Sequence, residues 1–265
     1  GEIKRREDRI AKLKEAKKAL EERAKARFEA EQADYESKLA ARETKEKESD
    51  GKPRGKKPEP PTEGPRPKDQ YNFTDPESRI MKDGGSFEQC YNAQAVVEVE
   101  SRLIVGNRVS DAPNDKEQLS PTLEAVSPVV GSVSTALVDS GFYSEKAVVA
   151  VEQGGQGPII YAATKRHGHG RSVAQLEQRP DPPTPSEDAT MAEIMRHRLE
   201  TKAGKKLYAL RKQTVEPVFG IIKEAMGFRR FSMRGLEKVD LEWTLVTAAY
   251  NLKRLFHLGV KFARA

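Results

Sequence analysis

The sequence predicts an α/β protein in which a mixed sheet flanked by helices follows a long charged helix and a disordered linker. Residues 1–48 are mainly strong helix formers and contain no glycine after Gly1 and no proline. Residues 49–69 are rich in proline, glycine and lysine. From Tyr91 onward, alternating apolar residues and a strand–helix–strand order are typical of a packed domain. We therefore expect a coiled-coil-like segment at 1–48, a linker at 49–69 and a folded domain at 70–265.

The composition narrows the class of protein. The chain has 265 residues, a formal net charge of +6 and a pI near 9.2, which favours a polyanionic partner such as nucleic acid. Cys90 is the single cysteine, so an internal disulfide framework is excluded. No apolar run approaches the roughly 18 residues of a membrane span. The chain begins with Gly1 inside a charged helical pattern, which indicates a fragment or a processed chain.

The first 69 residues have little to bury. Through Asp50 there are 15 basic and 14 acidic residues, so their charges nearly cancel. The apolar residues form a thin, irregular stripe, which predicts an exposed helix or a weak coiled coil. Residues 49–69 cannot hold a helix or a strand, and their basic side chains are either solvated or in contact with phosphate.

The folded domain begins with a predicted hairpin. Apolar residues alternate over 91–99, a short turn follows at Glu100 and Ser101, and a second strand covers 103–109. Residues 116–126 predict a helix with Asn114 or Asp115 as its N-cap. A strand at 134–138 then ends at Asp139 and precedes a helix capped by Ser144. A further strand at 158–162 completes a parallel crossover, which together with the hairpin predicts a mixed sheet.

The remainder of the chain predicts helices at 190–199, 206–223 and 236–258. The last of these has an apolar face that we expect to lie in the core, formed by Leu241, Leu245, Ala248, Ala249, Leu252 and Leu255. Trp243 is expected in the core or at an interface. His167 and His169 lie in a glycine-rich basic loop without acidic neighbours, which favours solvated side chains over metal ligands.

One acidic residue stands out in the helix at 206–223. Residues 202–234 contain nine Lys or Arg and only two acids, Glu216 and Glu224. A lone carboxylate such as Glu216 suits a divalent metal bound beside a polyanion, and Asp139 at a strand end is a suitable second ligand. Phosphodiester chemistry commonly uses two Mg²⁺ or Mn²⁺ ions held by clustered carboxylates. The alternative is a capping Asp139, a surface Glu216 and a solubilising basic face.

Four stretches then indicate a family. They are NFTDPESRIMK, FEQCYNAQAVVEVE, LVDSGFYS and the long block that begins YALRKQTVEPVFGIIK. With them, residues 72–258 resemble the catalytic domain of DDE transposases from bacterial insertion sequences. The resemblance implies an RNase H-like fold for 70–265, and Mg²⁺- or Mn²⁺-dependent cleavage and strand transfer of transposon-end DNA. It also implies DNA as partner, both transposon ends and target, a homodimer, and action at the bacterial nucleoid in the cytoplasm.

The same resemblance assigns residues. Asp139 matches the second Asp of the catalytic triad and Glu216 matches its Glu, so both are expected to bind metal. The DNA-binding candidates are Tyr208, Arg211, Lys212, Lys223, Arg229 and Arg230. Lys223 keeps the family's spacing after Glu216, and we expect it on the same helical face, whereas Tyr208 and Arg211 lie one residue further from Glu216 than in the family.

The first Asp of the triad has no match, because no Asp-Gly-Thr-like or Asp-Ser-Thr-like strand precedes YNAQAVVEVE. We expect that strand, and any DNA-binding domain, upstream of Gly1. Asp75 is the nearest alternative within the chain. A second hypothesis is therefore a catalytically incomplete, DNA-binding remnant of a transposase. A third is an interaction protein that assembles through its N-terminal helix.

Overall fold

The computed structural model describes residues 1–48, 55–83, 85–164 and 180–261, so His167 and His169 lie outside the described residues. The chain divides into two units, 1–76 and 77–265. The structure confirms a mixed α/β protein with a long N-terminal helix. The predicted domain limits at residues 48 and 69 stay predictions.

The first unit consists of one helix and the chain that follows it. Helix α1, Glu2–Glu48, is exposed along most of its length, as its charged sequence predicts. Residues 55–76 contain no helix or strand, yet they are attached to α1. Arg27 bonds Asp69 at 2.9 Å and Arg66 bonds Glu31 at 2.6 Å. These ion pairs hold part of residues 55–69 against α1. The disordered linker predicted at 49–69 stays a prediction.

The described part of the second unit contains three pairs of strands. Strands β1, Arg79–Asp83, and β2, Ser86–Cys90, form a hairpin. A second hairpin joins β3, Asn92–Val97, to β4, Ile104–Ser110, and confirms the predicted one. The parallel pair joins β5, Thr135–Val138, to β6, Ile159–Ala162, and confirms the predicted crossover.

In the part of the chain that the structure describes, these pairs form three separate two-stranded sheets, and their union in one mixed sheet stays a prediction. One strand edge is occupied by side chains, the outer edge of β4. There the amide group of Asn251 bonds both the N–H and the carbonyl of Ile104, at 2.8 and 2.7 Å. The Val109 N–H donates to Asp240 at 2.7 Å. Side chains of the last helix thus occupy an edge that another strand would otherwise extend. The RNase H-like arrangement stays a prediction.

Five further α-helices lie in the part of the second unit that the structure describes. Helix α2, Leu119–Glu124, is shorter than predicted and follows Gln118 rather than Asn114 or Asp115. Helix α3, Glu145–Glu152, is capped by Ser144, whose hydroxyl accepts the Ala147 N–H at 3.1 Å, as predicted. Helix α4, Met191–Glu200, begins with a capping box between Thr190 and Glu193.

The last two described helices of this unit are also its longest. Helix α5, Lys202–Gly220, begins four residues earlier than predicted because Thr201 caps it, and a π-helical turn, Ile221–Ala225, continues it. Helix α6, Leu236–His257, begins as predicted and ends one residue before the predicted end at Leu258. No helix of the described ranges is long and apolar enough to cross a membrane.

Two apolar clusters hold the second unit. One surrounds Trp243 of α6 and includes Val218 of α5 and Val109 of β4. The other lies between the parallel strands and their helices, around Ile160 and Met195.

Helix α6 faces the core with a different side from the one predicted. Its buried residues are Val239, Trp243, Thr247 and Tyr250, whereas Leu241, Leu245, Ala248, Ala249 and Leu252 are exposed and Leu255 is half-buried. The indole of Trp243 explains this choice. It stacks on Phe219 at 5.7 Å, and its Nε1–H donates to the Gln94 carbonyl at 2.8 Å. Burying the other side of α6 would forfeit both contacts.

Candidate catalytic site

The candidate site lies where the parallel strands end. Asp139 directly follows β5 and caps a short 3₁₀ turn, Ser140–Phe142, by accepting the Ser140 N–H at 2.7 Å. This bond occupies one oxygen of the carboxylate. The side chain of Asp139 remains 60% exposed, so it can accept a further partner from solvent. The strand end and the cap thus fix the position of a carboxylate that still faces water.

Tyr208 fixes helix α5 to the same strand ends. Its hydroxyl donates to the carbonyl of Val138, the last residue of β5, at 3.1 Å. It also accepts the N–H of Ala163, which directly follows β6, at 3.2 Å. Burial raises the pKa of the Tyr208 phenol, so the hydroxyl stays protonated. One side chain therefore joins α5 to both parallel strands.

Arg211 brings Asp139 and Glu216 together. Its guanidinium lies 3.7 Å from the Asp139 carboxylate and 4.0 Å from that of Glu216. The Arg211 side chain is 17% exposed, whereas both carboxylates are 60% exposed. It also lies over the Tyr208 ring, 5.7 Å from the centroid. The two acids therefore approach one cation and leave their outer sides open to solvent.

The backbone after Glu216 departs from a regular α-helix. Pro217 lacks an N–H and interrupts the hydrogen-bond ladder of α5. The π-helical turn that follows contains Lys223. A π-turn holds more residues than an α-turn, so seven residues no longer correspond to two turns. Lys223 is exposed, and its predicted place on the face of Glu216 stays a prediction.

The other predicted basic residues lie on the surface around this helix. Lys212, Arg229 and Arg230 are exposed, and Arg229 pairs with Glu224. The loop that contains both arginines is fixed by Glu242, which accepts the N–H groups of Ser232 and Met233 at 3.0 Å. Burial acts to raise the pKa of Glu242, but these donors outweigh it and hold that pKa below its ordinary value.

A comparison with protein families finds a match for the C-terminal part of the site, which lies on α5. Residues 183–256 match the family model described as a transposase DDE domain. This stretch is similar to the DDE domain of transposases. The match includes Tyr208, Arg211 and Glu216, and it begins after Asp139. No curated protein and no solved structure matches the chain.

The number of carboxylates at the candidate site bears on metal binding. No group of three or more His, Cys, Asp or Glu side chains in the described ranges is arranged to hold a metal ion. Asp139 and Glu216 supply two carboxylates. Asp75 is buried and belongs to the first unit, so its catalytic role stays a prediction. The DNA-binding roles of Tyr208 and Arg211 also stay predictions, because the structure gives both side chains internal partners.

Sequence reasoning missed the contacts that Asp115 makes near the candidate site. One Asp115 oxygen accepts the amides of Asn92, at 2.6 Å, and Gln94, at 3.1 Å. Its other oxygen would lie 3.3 Å from a Cβ added at Gly141, in the turn after Asp139. Asp115 therefore holds the start of β3 and lies close to the turn capped by Asp139. The two amides of YNAQ were the available signal, because amides on one face of a strand are suited to hold a carboxylate.

Proposed function

We propose that this chain is the catalytic part of a transposase that cleaves DNA at transposon ends and joins them to target DNA. The observation that carries the proposal is the convergence of Asp139 and Glu216 on Arg211. Arg211 and Glu216 lie within the stretch that matches the transposase DDE domain. The two-stranded sheets would be parts of an RNase H-like sheet, which fits the parallel order of β5 and β6.

Asp139 and Glu216 are the residues that would hold Mg²⁺ or Mn²⁺. They supply hard oxygen ligands, and each keeps an exposed side beyond its contact with Arg211. When bound, such ions polarise the phosphodiester and stabilise the attacking and leaving oxygens. Tyr208 would keep the two carboxylates in register, because it fixes α5 to the end of β5.

DNA would lie against the basic surface around α5. Lys212, Lys223 and Arg230 are exposed and carry no ion pair among the described residues. Contacts of lysine and arginine with phosphate release counterions, so binding should weaken steeply with salt. We further propose that the protein acts as a homodimer at the bacterial nucleoid.

The test measures metal binding and cleavage separately. The chain is titrated with Mn²⁺, and free Mn²⁺ is followed by electron paramagnetic resonance. Nicking of supercoiled plasmid is measured with the same metal. We expect Asp139→Asn and Glu216→Gln each to weaken Mn²⁺ binding at least tenfold and to abolish nicking, because each removes a ligand charge. Glu224→Gln is the matched control, since that carboxylate lies on the same basic segment and pairs with Arg229 instead. Unchanged binding and nicking in both site variants would refute the assignment.

The second candidate is a DNA-binding protein without catalysis. It is favoured by one observation, the absence of a group of three metal-binding side chains within the described ranges. Under this alternative the chain binds a fluorescent duplex of arbitrary sequence with a steep salt dependence and nicks no plasmid at any Mn²⁺ concentration. Nicking that is lost in Asp139→Asn decides for the enzyme.

A further inference from the structure

The short turn after Asp139 determines where that carboxylate lies. Asp139 accepts the Ser140 N–H with its side chain, at 2.7 Å, and the Phe142 N–H with its backbone carbonyl, at 3.0 Å. A displacement of the turn therefore moves Asp139 as well. On one side of the turn, Phe142 and Tyr143 pack against the apolar cluster between the parallel strands and their helices. The contact on the other side of the turn then determines how firmly Asp139 is placed.

Gly141, in the middle of the turn, closely approaches Asp115. A Cβ built on Gly141 would lie 3.3 Å from a carboxylate oxygen of Asp115 and 3.8 Å from its Cβ, and the first distance is tighter than most real Cβ contacts. The backbone does not require a glycine here, because the φ of Gly141 lies outside the left-handed region. The close approach of Asp115 is therefore the physical reason for a glycine at this position.

Asp115 is itself attached to the core of the second unit. One of its oxygens accepts the side-chain amides of Asn92, at 2.6 Å, and Gln94, at 3.1 Å. Gln94 is buried, its side-chain oxygen accepts the Thr122 hydroxyl, and its backbone carbonyl accepts the Trp243 indole N–H at 2.8 Å. A buried polar network whose members all have partners is rigid. The second oxygen of Asp115 is thus a firm surface for the turn at Gly141.

We propose that Asp115 is a positioning residue, which places the Asp139 carboxylate by supporting the turn at Gly141. The inference rests on the proposed metal-binding role of Asp139. Asp115 acts through the turn and not as a third ligand, because two amides occupy one of its oxygens. In addition, no group of three His, Cys, Asp or Glu side chains within the described ranges is arranged to hold a metal ion. Since site residues must be held to within about 0.5 Å, loss of this support weakens metal binding.

The first test measures the support of the turn and needs no metal. Hydrogen exchange of the Phe142 N–H is followed in Gly141→Ala, in Asp115→Ala and in the double variant. Each single change should speed exchange about tenfold, because the added Cβ meets the carboxylate in one case and the support is lost in the other. The double variant should exchange no faster than Asp115→Ala, since the clash is gone. Effects that multiply in the double variant, or unchanged exchange in either single variant, overturn the proposal.

Two further variants separate a local support from a general loss of stability. Asp115→Asn keeps the size of the side chain and an oxygen for the two amides, so Phe142 exchange should stay within about twofold of the native rate. Gly220→Ala is the matched control for the added Cβ, because that Cβ would meet no atom within 4 Å. In Gly141→Ala the N–H groups of the β3–β4 ladder should keep their native exchange rates. Ladder exchange that rises as much as that of Phe142 would indicate a merely structural role and contradict the proposal.

The second test measures Mn²⁺ binding by electron paramagnetic resonance. Gly141→Ala should weaken binding about fivefold, because it displaces the turn. Asp115→Asn should weaken it by no more than about threefold, because only a charge outside the ligand set is lost. Unchanged binding in Gly141→Ala overturns the proposal, and so does a loss in Asp115→Asn as large as that in Asp139→Asn, which would make Asp115 a ligand. A native chain that binds no Mn²⁺ refutes the proposed catalytic function, and the first test then decides the role of Asp115.

Discussion

Replacing Tyr208 by phenylalanine tests how helix α5 is attached to the strand ends. The change removes one hydroxyl and keeps the ring, so the contact with the Arg211 guanidinium at 5.7 Å is preserved. What is lost is the bond to the Val138 carbonyl, at 3.1 Å, and the bond from the Ala163 N–H, at 3.2 Å. The variant therefore isolates the attachment of α5 to β5 and β6.

The magnitude follows from the two groups that lose their partner. A fully buried donor or acceptor without a partner costs about 1–3 kcal/mol. Val138 and Ala163 are half-buried, so water can partly replace the hydroxyl. We expect the free energy of unfolding of the second unit to fall by about 1.5 kcal/mol in total. With a urea m-value of about 2 kcal/mol/M, the midpoint falls by about 0.7 M.

The assay is urea unfolding followed by the fluorescence of Trp243, the single tryptophan, which lies in the second unit. The difference between the native chain and Tyr208→Phe should also depend on pH. Burial raises the pKa of Tyr208 above its ordinary value of 10.0, so the fold favours the protonated phenol. Its contribution is therefore complete at pH 7 and is lost as the pH rises through the raised pKa.

Tyr161→Phe is the matched control. Tyr161 lies in β6 and is half-buried, and its hydroxyl has no bond to any residue that the structure describes. A control that changes stability as much as Tyr208→Phe, or a Tyr208 variant within about 0.3 kcal/mol of the native chain, would show that the hydroxyl does not hold α5.

Three more substitutions test other contacts. Glu242→Gln should speed tryptic cleavage of the loop at 226–234, because it weakens the acceptor of two N–H groups. Since the pKa of Glu242 is lowered, the loop of the native chain should loosen in the same way as the pH falls through that pKa. Arg198→Met should lower the unfolding free energy by about 2–3 kcal/mol in thermal melts, since it leaves the carboxylate of Glu152, 13% exposed, without its cation. Arg211→Gln should tighten Mn²⁺ binding about fivefold, because the Arg211 guanidinium, whose contact with the two carboxylates is worth about 1 kcal/mol, no longer competes with the metal. Arg229→Gln is the control for this substitution. Weaker Mn²⁺ binding by Arg211→Gln would contradict this reasoning.

Local elements of the fold were predictable where one physical signal dominates. The hairpin of β3 and β4 follows from apolar residues that alternate over 91–99 except at Val96, and the cap of α3 follows from the hydroxyl of Ser144. The hairpin of β1 and β2 was missed, although the two residues between Asp83 and Ser86 are both glycine, a strong hairpin signal. Its exposed strand β2 has no apolar face, so a search for apolar alternation passes over it.

In helix α6, hydrophobic periodicity cannot decide which side of the helix is buried. Val239, Trp243, Val246 and Tyr250 are spaced by steps of four and three. On the exposed side of α6, the same spacing separates Leu241, Leu245, Ala248, Leu252 and Leu255. Both sides therefore have the repeat of a packed helix, and the pattern alone cannot choose between them. The choice depends on contacts distant in sequence, from Trp243 to Phe219 and to the carbonyl of Gln94. An aromatic residue with a polar group is thus a better guide to the buried side than the number of leucines.

The candidate site combines one feature that local sequence signals determine with another that depends on contacts distant in sequence. The position of Asp139 depends on local features, a strand end and a cap, and was predictable. The meeting of Asp139 and Glu216 depends on the docking of α5, which no local pattern contains. Arg211 and Glu216 are five residues apart, so on a regular helix they point about 140° away from each other. Arg211 nevertheless reaches both carboxylates, because Tyr208 fixes α5 against the end of β5 and the long arginine side chain spans the remaining distance. The additional residue between Arg211 and Glu216 is therefore compatible with a shared site, since the side chain, rather than the helical spacing, brings the charges together.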